Sequence, residues 1–227
     1  MICDYWVVLV AAGEGTRLGG PVRKAALPVH GRALVSFSLA TAMAHRCNQG
    51  AVLVVHRDDL RHAADWVQQS GVDPSLVEIV AGGKERRHSV MAGLDAISAA
   101  PTDLVAIHDA ARPALHPEDL LRVLEQASGS GAAVLACPMS DTLHRVDEAD
   151  RWKIGVDRNR LWQAQTPQIF QLGPLRDALR GATGMATDEV EAVAKTGQPV
   201  HFVEALHPNP KLTTAADVSW IEALLGR

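Results

Sequence analysis

Residues 7–28 read V-V-L-V-A-A-G-E-G-T-R-L-G-G-P-V-R-K-A-A-L-P, which predicts a buried strand that runs into a glycine-rich loop. The apolar run from Trp6 to Val10 is short and rich in β-branched residues, as buried strands are. The small residues after it let the backbone approach a ligand closely, and successive N–H groups can converge there on an anion. Arg17 and Lys24 add the fixed positive charge that a polyphosphate requires. The stretch therefore predicts a site for the phosphates of a nucleotide.

This loop differs from two familiar phosphate loops, although a glycine-rich loop alone is also compatible with a tight βα turn. The Gly-Lys-Ser/Thr tripeptide of a Walker A loop does not occur in the chain. The dinucleotide fingerprint G-x-G-x-x-G fails as well, because Leu18 takes the last glycine position when counting starts at Gly13. The pattern A-A-G-x-G-x-R-x-G followed by lysine instead resembles sugar-phosphate nucleotidyltransferases, which move a nucleotidyl group from a nucleoside triphosphate to a phosphate.

Length and composition narrow the class of protein. The 227 residues fit one large α/β domain, and the net charge of -4 argues against a nucleic-acid partner. The three scattered cysteines form no C-x-x-C motif, which argues against a disulfide framework or a zinc site and favours a reducing cytoplasm. No basic segment leads into an apolar one at the N-terminus, and no apolar run reaches membrane-spanning length. We therefore expect a cytoplasmic protein with no membrane partner.

Strands and helices alternate after the opening loop, which predicts an α/β fold: a Rossmann-like, mostly parallel sheet with helices on both faces. We expect one domain over residues 1–227. The predicted strands are 51–55, 77–80, 104–108, 132–138 and 200–204. The predicted helices are 34–45, one from Leu60 stopped by Gly71, one from Pro117 stopped by Gly129, 172–182, and one at the C-terminus.

A second glycine-bearing loop, A-G-G-K-E-R-R-H-S-V-M-A-G-L at residues 81–94, repeats the logic of the first. A strand leads into paired glycines and then into a helix. Ser89 has two interpretations, either the N-cap of that helix or part of a nucleotide pocket. In the second interpretation Gly83, Arg86 and Ser89 contact the base and phosphates.

Asp109 directly follows a predicted buried strand, in the motif H-D-A-A-R-P. Ligands of open α/β sheets sit beyond the carboxyl ends of the strands, so Asp109 is placed to contact a metal or a sugar hydroxyl. A turn or cap role is the alternative. We interpret His108 as structural.

Residues 139–160 change in character. Two strand-like pieces, 142–146 and 152–156, flank a polar turn and predict a hairpin with little to bury by itself. We expect it to project as a β-arm and to pack against a second copy of the chain.

Two features lie nearer the C-terminus. Residues 187–189 are typical of the start of a helix, and Lys211 lies in a loop that follows a strand.

Taken together, these motifs resemble the 2-C-methyl-D-erythritol 4-phosphate cytidylyltransferase family. The matching stretches are V-A-A-G-E-G-T-R-L-G, A-G-G-K-E-R-R-H-S-V-M-A-G-L, I-H-D-A-A-R-P, V-D-R-N-R-L-W-Q-A-Q-T-P-Q-I-F, A-T-D-E-V and N-P-K-L-T. They occur in the family's order and span nearly the whole chain. The resemblance implies that CTP and methylerythritol phosphate give the CDP-alcohol and pyrophosphate, with Mg²⁺ held mainly through the CTP phosphates.

The resemblance also implies the site residues. The catalytic residues are Arg17, Lys24, Arg158 and Lys211. The nucleotide-binding residues are Ala11, Ala12, Gly13, Gly15, Gly83, Arg86, Ser89 and Asp109. The substrate-binding residues are Asp109, Thr142, Arg158, Thr166, Thr187, Asp188 and Lys211. Asp109 is also the implied metal ligand, and the arm that carries Thr142 and Arg158 is exchanged between the subunits of a homodimer.

Several positions depart from the family pattern. Arg23 and Ala25 flank Lys24 where the family reads Pro-Lys-Gln, Lys84 replaces a commonly acidic residue, and His88 replaces a small or acidic one. The lysine itself is kept, so we expect the chemistry to be retained. Two alternatives stay open on these residues: a ribitol-5-phosphate cytidylyltransferase and a nucleotide-binding module without catalysis.

Overall fold

A computed structural model describes residues 4–14, 22–182 and 188–226 of the chain. Within these ranges the strands are β1 Tyr5–Ala11, β2 Pro28–Val29, β3 Arg32–Ala33, β4 Asn48–Val55, β5 Val77–Ala81, β6 Leu104–Asp109, β7 Ala132–Pro138, β8 Leu143–Val146, β9 Trp152–Val156, β10 Trp162–Gln171 and β11 His201–Glu204. The α-helices are α1 Leu34–Ala42, α2 Leu60–Ser70, α3 Arg86–Ala96, α4 Pro117–Ser130, α5 Leu172–Gly181, α6 Glu189–Ala194 and α7 Asp217–Leu225. The expected alternation of strands and helices is therefore present.

Seven strands form one sheet in the order β11-β7-β10-β6-β1-β4-β5. Neighbouring strands run parallel except where β10 pairs with β6 and β7. The predicted class, a mostly parallel α/β sheet, is thus confirmed. The sequence did not predict β10, because its first part, W-Q-A-Q-T-P-Q, is polar and holds a proline.

Helices cover both faces of the sheet because its central strands are apolar on both sides. Val7 and Leu9 of β1 point into a core shared with α1, α2 and α4, whereas Val8 points into a second core shared with α3, α5 and α6. Burial on both faces accounts for the unbroken apolar runs of β1, β4 and β6. None of the helices in the described ranges combines the length and apolarity that crossing a membrane requires.

The chain crosses from one side of the sheet to the other at β1. β4 and β5 lie on one side of this strand, and β6 then pairs with its other side. In open α/β sheets, such a crossover leaves a crevice outside the carboxyl ends of the strands, where ligands bind. The loops after β1 and β6 therefore frame the expected site.

Several helix ends differ from the predictions, and α1 ends at Ala42 instead of residue 45. α4 continues through Gly129 and stops at Gly131, whose φ of 80° lies in the left-handed region that favours glycine. The Gly131 N–H donates to the carbonyl of Ala127 at 2.7 Å, which closes the helix end. The N-cap interpretation of Ser89 is wrong, because Glu85 is the N-cap of α3 and Ser89 lies inside the helix.

β8 and β9 form the predicted hairpin as a separate two-stranded sheet. We call residues 139–160 the β-arm. Its apolar side chains are largely open to solvent, with Trp152 67% and Ile154 56% exposed. Because a two-stranded hairpin is at best marginally stable by itself, such side chains are well suited to packing against another surface.

Candidate active site

A cavity of about 590 Å³ opens at the carboxyl ends of β1, β4, β5 and β6. Its volume suits a nucleotide-sized ligand. The loop after β1 and the segment between β5 and α3 provide most of its wall. Among the described residues the lining consists of Val10, Ala11, Ala12, Gly13, Glu14, Lys24, Ala25, His56, Arg57, Gly82, Gly83, Lys84, Glu85, Arg86, Ser89, Asp109, Ala110, Ala111 and Lys211.

The two glycine-bearing loops touch each other at Gly82. A Cβ atom at this position would lie 2.3 Å from the Cβ of Ala12 and 2.7 Å from the Oγ of Ser89, so only glycine fits there without a shift of the backbone. The Ser89 hydroxyl accepts the N–H of Gly83 at 3.2 Å and donates to the carbonyl of Glu85 at 3.3 Å. Ser89 therefore fixes the shape of the loop that forms the cavity wall.

Arg86, Asp109, Glu189 and Lys211 form what we call the charge cluster. Nζ of Lys211 donates to Oδ2 of Asp109 at 2.6 Å, and Nη2 of Arg86 donates to Oδ1 at 3.3 Å. Nη1 of Arg86 in turn donates to both oxygens of Glu189, at 2.5 and 2.7 Å. The two carboxylates are nearly buried, with 7% of Asp109 and 2% of Glu189 exposed. Two cations and two carboxylates are thus held together at the C-terminal end of β6 and the N-terminal end of α3.

The charges in this cluster determine the protonation of its carboxylates. Burial by itself would raise the pKa of Asp109, but the positive charges of Arg86 and Lys211 outweigh it and hold that pKa well below its usual range. Burial raises the pKa of Glu189, and the charge of Arg86 opposes that rise. The pKa of Arg86 is raised because its two carboxylate partners outweigh the effect of burial. Asp109 and Arg86 are therefore an ionised pair at neutral pH.

A layer of buried polar groups positions Asp109 from below. The Thr166 hydroxyl accepts the backbone N–H of Asp109 at 3.1 Å and lies 3.0 Å from Nδ1 of His108. Nε2 of His108 faces the carbonyl of Arg112 at 3.1 Å; because a carbonyl can only accept, Nε2 carries the proton and Nδ1 accepts from Thr166. Burial lowers the pKa of His108 to about 4, so this histidine is neutral at pH 7. Thr166 and His108 thus hold Asp109 in place.

Lys24 joins the start of the chain to its end. Its Nζ donates to the carbonyls of Leu212 and Thr213, both at 3.0 Å. These carbonyls belong to residues 205–213, which we call the lysine loop because it carries Lys211. The two lysines therefore reach the same cavity although they are far apart in the sequence.

Arg23, which precedes Lys24, departs from the family pattern. It forms ion pairs with Asp58 and Asp59 at 2.7 and 3.0 Å, and these pairs explain a basic residue at this position.

The structure brings together most of the predicted nucleotide-binding residues and two of the predicted catalytic residues, Lys24 and Lys211. Those that line the cavity are Ala11, Ala12, Gly13, Lys24, Gly83, Arg86, Ser89, Asp109 and Lys211. Thr166 lies beneath Asp109, and Asp188 is the N-cap of α6, accepting the N–H of Glu191 at 3.2 Å. Thr142 and Arg158 lie on the β-arm, away from the lining formed by the described residues. Gly15, Arg17 and Thr187 lie outside the described residues.

Sequence reasoning missed several residues of the site. His56 and Arg57 line the cavity directly after β4, and the rule that located Asp109 at a strand end applies equally to them. Glu189 was interpreted only as part of a helix start, and nothing local in the sequence indicates that it pairs with Arg86. That contact depends on how α6 packs beside α5, which is a tertiary property.

Comparison with known proteins places these features in a family. The model of the family "2-C-methyl-D-erythritol 4-phosphate cytidylyltransferase" (IspD) matches residues 5–227. A curated protein of that name from Ectopseudomonas mendocina (strain ymp) is 40% identical over 97% of this chain and 95% of its own length. One from Stenotrophomonas maltophilia (strain K279a) is 39% identical over 100% of this chain and 99% of its own length.

Solved structures agree with the sequence relatives. A crystal structure of 4-diphosphocytidyl-2C-methyl-D-erythritol synthase superimposes with a TM-score of 0.82 at 30% identity, covering 98% of this chain and 99% of the other. The 2-C-methyl-D-erythritol 4-phosphate cytidylyltransferase from Thermus thermophilus superimposes with a TM-score of 0.78 at 32% identity, covering 100% of both chains. The likeness therefore extends over nearly the whole chain.

Proposed function

The chain belongs to the 2-C-methyl-D-erythritol 4-phosphate cytidylyltransferase family, and from this membership we propose how its cavity performs the transfer. The reaction joins the cytidylyl group of CTP to the phosphate of 2-C-methyl-D-erythritol 4-phosphate and releases pyrophosphate. The observation that supports our proposal is the grouping of Lys24, Lys211 and Arg86 at one cavity beyond the strand ends. Cations placed in this way suit a reaction between two anions.

The chemistry needs no side-chain base. The substrate phosphate is already an anionic nucleophile near neutral pH, and one of its oxygens attacks the α-phosphorus of CTP. A new P–O bond forms there as the bond from that phosphorus to the β-phosphate oxygen breaks, and the electron pair leaves with pyrophosphate. The task of the protein is to align the two anions and to neutralise the charge of the transition state.

The two cavity lysines have different roles in this scheme. Lys211 is held by Asp109 at 2.6 Å, so an incoming phosphate competes with that carboxylate for the same ammonium group. Asp109 in this way keeps Lys211 aimed at the cavity before substrate arrives. Lys24 donates to two backbone carbonyls, which orient its ammonium group. We assign Lys24 to the transferring phosphorus and Lys211 to the phosphate of the acceptor.

The backbone and the remaining charges account for nucleotide binding. Ala11, Ala12 and Gly13 on one side and Gly83 on the other offer main-chain surfaces that a base and its phosphates can approach. Arg86 is held by Asp109 and Glu189, so we assign it to fixing the wall and supplying a constant positive field. The roles expected for Arg17, Gly15 and Thr187 stay predictions.

Mg²⁺ in this proposal enters with the CTP phosphates. Asp109 fits poorly as a direct ligand, because Oδ2 is taken by Lys211 and Oδ1 by Arg86. We therefore assign no step to a protein-bound ion. Chelation should lower the activity, since free CTP carries more uncompensated charge than its magnesium complex.

We also propose that the active unit is a homodimer. The β-arm exposes Trp152, Ile154 and Val146, and an antiparallel hairpin with such a face is most simply covered by its symmetry mate. Arg158 and Thr142 lie on this arm, so they would reach the cavity of the partner subunit. We assign Thr166 an indirect role, in which it acts through Asp109 without touching the substrate.

We also propose the cytoplasm as the compartment in which the protein acts. The free thiols of Cys47 and Cys137 support this proposal, because a reducing compartment keeps thiols reduced.

A substrate panel tests the proposed reaction. We expect pyrophosphate release with CTP and 2-C-methyl-D-erythritol 4-phosphate, and much less when UTP replaces CTP. Ribitol 5-phosphate serves as the matched alternative acceptor. Turnover with ribitol 5-phosphate and none with methylerythritol phosphate would overturn the assignment of the acceptor. CTP binding without release of pyrophosphate on any acceptor would instead indicate a binding module.

A further inference from the structure

A group of side chains with metal-binding atoms lies outside the cavity, where α4 begins and the lysine loop passes. His116, Glu118 and His207 each offer one donor atom, and these atoms all lie within 4.8 Å of one another. The two imidazole rings stack with centroids 3.5 Å apart, and Nε2 of His207 is 3.8 Å from Oε2 of Glu118. We propose that His116, Glu118 and His207 bind a divalent transition-metal ion, with Zn²⁺ as the best-fitting one.

A buried carboxylate orients one of these ligands. Asp119 is fully buried, and its Oδ2 lies 3.3 Å from Nδ1 of His207. The same side chain accepts the backbone N–H groups of Leu206 and His207 at 2.9 and 3.1 Å. Because Nδ1 faces a carboxylate, it carries the proton and leaves the lone pair of Nε2 for a metal. A carboxylate behind a histidine in this way is the usual support of a zinc ligand.

The other histidine is only weakly engaged. Nδ1 of His116 accepts the backbone N–H of Glu118 at 3.3 Å, a long hydrogen bond that caps α4. Sharing one ion requires the two rings to rotate out of their stack, since tetrahedral donors point to a common centre. Part of the surroundings is open to solvent, with 32% of the His207 side chain and 53% of the Glu118 side chain exposed, which leaves room for that rotation.

The donor set selects the kind of ion. Two imidazole nitrogens and one carboxylate suit Zn²⁺ and similar ions, whereas Mg²⁺ prefers oxygen ligands and keeps several waters. This site is therefore chemically distinct from the magnesium that accompanies CTP. The scattered cysteines argue only against a zinc site made of thiolate ligands. The ligands proposed here are two histidines and a glutamate from separate parts of the chain.

The expected consequence is a clamp on the lysine loop. His207 lies on this loop, and His116 and Glu118 lie at the start of α4. Further along the same loop, Asn209 donates to the carbonyl of Thr166 at 2.9 Å and Lys211 reaches Asp109. An ion bound at the three ligands would tie the loop to a helix of the core. It would act by stabilising that connection and would take no part in the transfer itself.

Zinc titration of the full chain, without an affinity tag and after removal of metals with a chelator, tests the proposal. With a chromophoric competitor we expect one Zn²⁺ per chain, unaffected by excess Mg²⁺, and a rise in Tm on binding. His116→Asn keeps a good N-cap, His207→Asn keeps a donor for Asp119, and Glu118→Gln keeps the shape of the side chain. Each variant should weaken Zn²⁺ binding by about tenfold or more and abolish most of the rise in Tm.

His201→Asn on β11 is the matched control and should bind Zn²⁺ as the unaltered chain does, because His201 lies outside the cluster. Absence of stoichiometric Zn²⁺ binding would overturn the proposal. So would Zn²⁺ binding of equal strength in the three ligand variants, since the ion would then lie elsewhere. Neither readout depends on the cytidylyltransferase activity, so a failure here leaves the assigned reaction untouched.

Discussion

The cavity and the β-arm are built on opposite principles. At the cavity, charged side chains from β6, α3, α6 and the lysine loop are paired with one another within one chain, and the two carboxylates among them are buried. On the β-arm, apolar side chains stand exposed on two short strands. The cavity is therefore held together by contacts within one chain, whereas the arm leaves apolar surface open to solvent.

This difference teaches where each region obtains its stability. Pairing charges in a buried place gains little net stability, because desolvation offsets the attraction, so the charge cluster is retained for what it positions. Exposed apolar area offers about 25 cal/mol for each Å² removed from water, which is realised only on association. We expect substitutions at the cavity to affect turnover directly and substitutions on the arm to act through the proposed partner subunit.

The largest effect should come from Lys24→Ala. Its ammonium group is assigned to the charge that develops at the transferring phosphorus, and removal of such a contact lowers kcat by roughly 10²-fold or more. KM for CTP should change much less. Lys24→Arg should fail as well, because the two carbonyls at 3.0 Å fit a compact ammonium group and not a planar guanidinium. Steady-state kinetics measure both variants.

Lys195→Ala is the control for this prediction. Lys195 is an exposed residue after α6 that pairs with Glu191 at 2.6 Å, outside the cavity lining. The kcat of the Lys195→Ala variant should stay close to that of the unaltered chain. A Lys24→Ala variant with normal kcat and a raised KM for CTP would reduce Lys24 to a binding residue.

The next effect tests whether the arm completes a site on another chain. Lys24→Ala and Arg158→Ala should each retain only a small residual activity, and their subunits are then allowed to exchange. Random mixing makes half of the dimers mixed, and one site of each mixed dimer combines an intact cavity with an intact arm. About a quarter of the unaltered activity should therefore return.

A mixture of Lys24→Ala with Lys211→Ala is the matched control. Both lysines serve the same cavity of one chain, so every site in these mixed dimers lacks one of them and no activity should return. If the Arg158 mixture stays as inactive as this control once exchange is verified by mass spectrometry, Arg158 works within its own subunit. The contrast between cavity and arm would then be wrong.

The smallest expected effect concerns His108, one of the buried polar residues that position Asp109. Burial lowers the pKa of His108 to about 4, while an unfolded histidine titrates near 6.5. Between these values the unfolded chain binds a proton that the folded chain does not, so the free energy of unfolding falls as the pH drops from 6.5 towards 4. At pH 5 this amounts to about 2 kcal/mol.

Urea unfolding at pH 7 and pH 5 measures that contribution. His108→Gln should show a smaller loss of stability between the two pH values, by about 2 kcal/mol. His62→Gln, on the exposed face of α2, should keep the loss of the unaltered chain. An identical loss of stability in all three proteins would contradict the lowered pKa of His108. It would show that water reaches the His108 side chain.

The sequence predicted several parts of the site that lie at strand ends or in loops, although not His56 and Arg57 at the end of β4. Asp109 follows a buried strand, and Lys24 follows a glycine-rich loop, so local pattern and the rule for open α/β sheets suffice for both. β10 was missed because Pro167 and its polar neighbours oppose a strand locally, and tertiary pairing on both sides overrides that preference. The pairing of Arg86 with Glu189 was missed because it joins residues distant in the sequence.

Helix ends show the same limit on a smaller scale. Gly129 and Gly131 are both plausible stops for α4, and in the structure it is Gly131 that takes the left-handed conformation and closes the helix. The arm was easier, because alternating residues around a polar turn need no tertiary context to form a hairpin. Predictability therefore follows how local the deciding contacts are.

The contact between Gly82 and Ala12 has a consequence for how this protein can diverge. A side chain at 82 would collide with the Cβ of Ala12 and with the hydroxyl of Ser89, so only glycine fits there unless these neighbours shift. We therefore expect position 82 to change in evolution only together with a shift of the two loops that meet there.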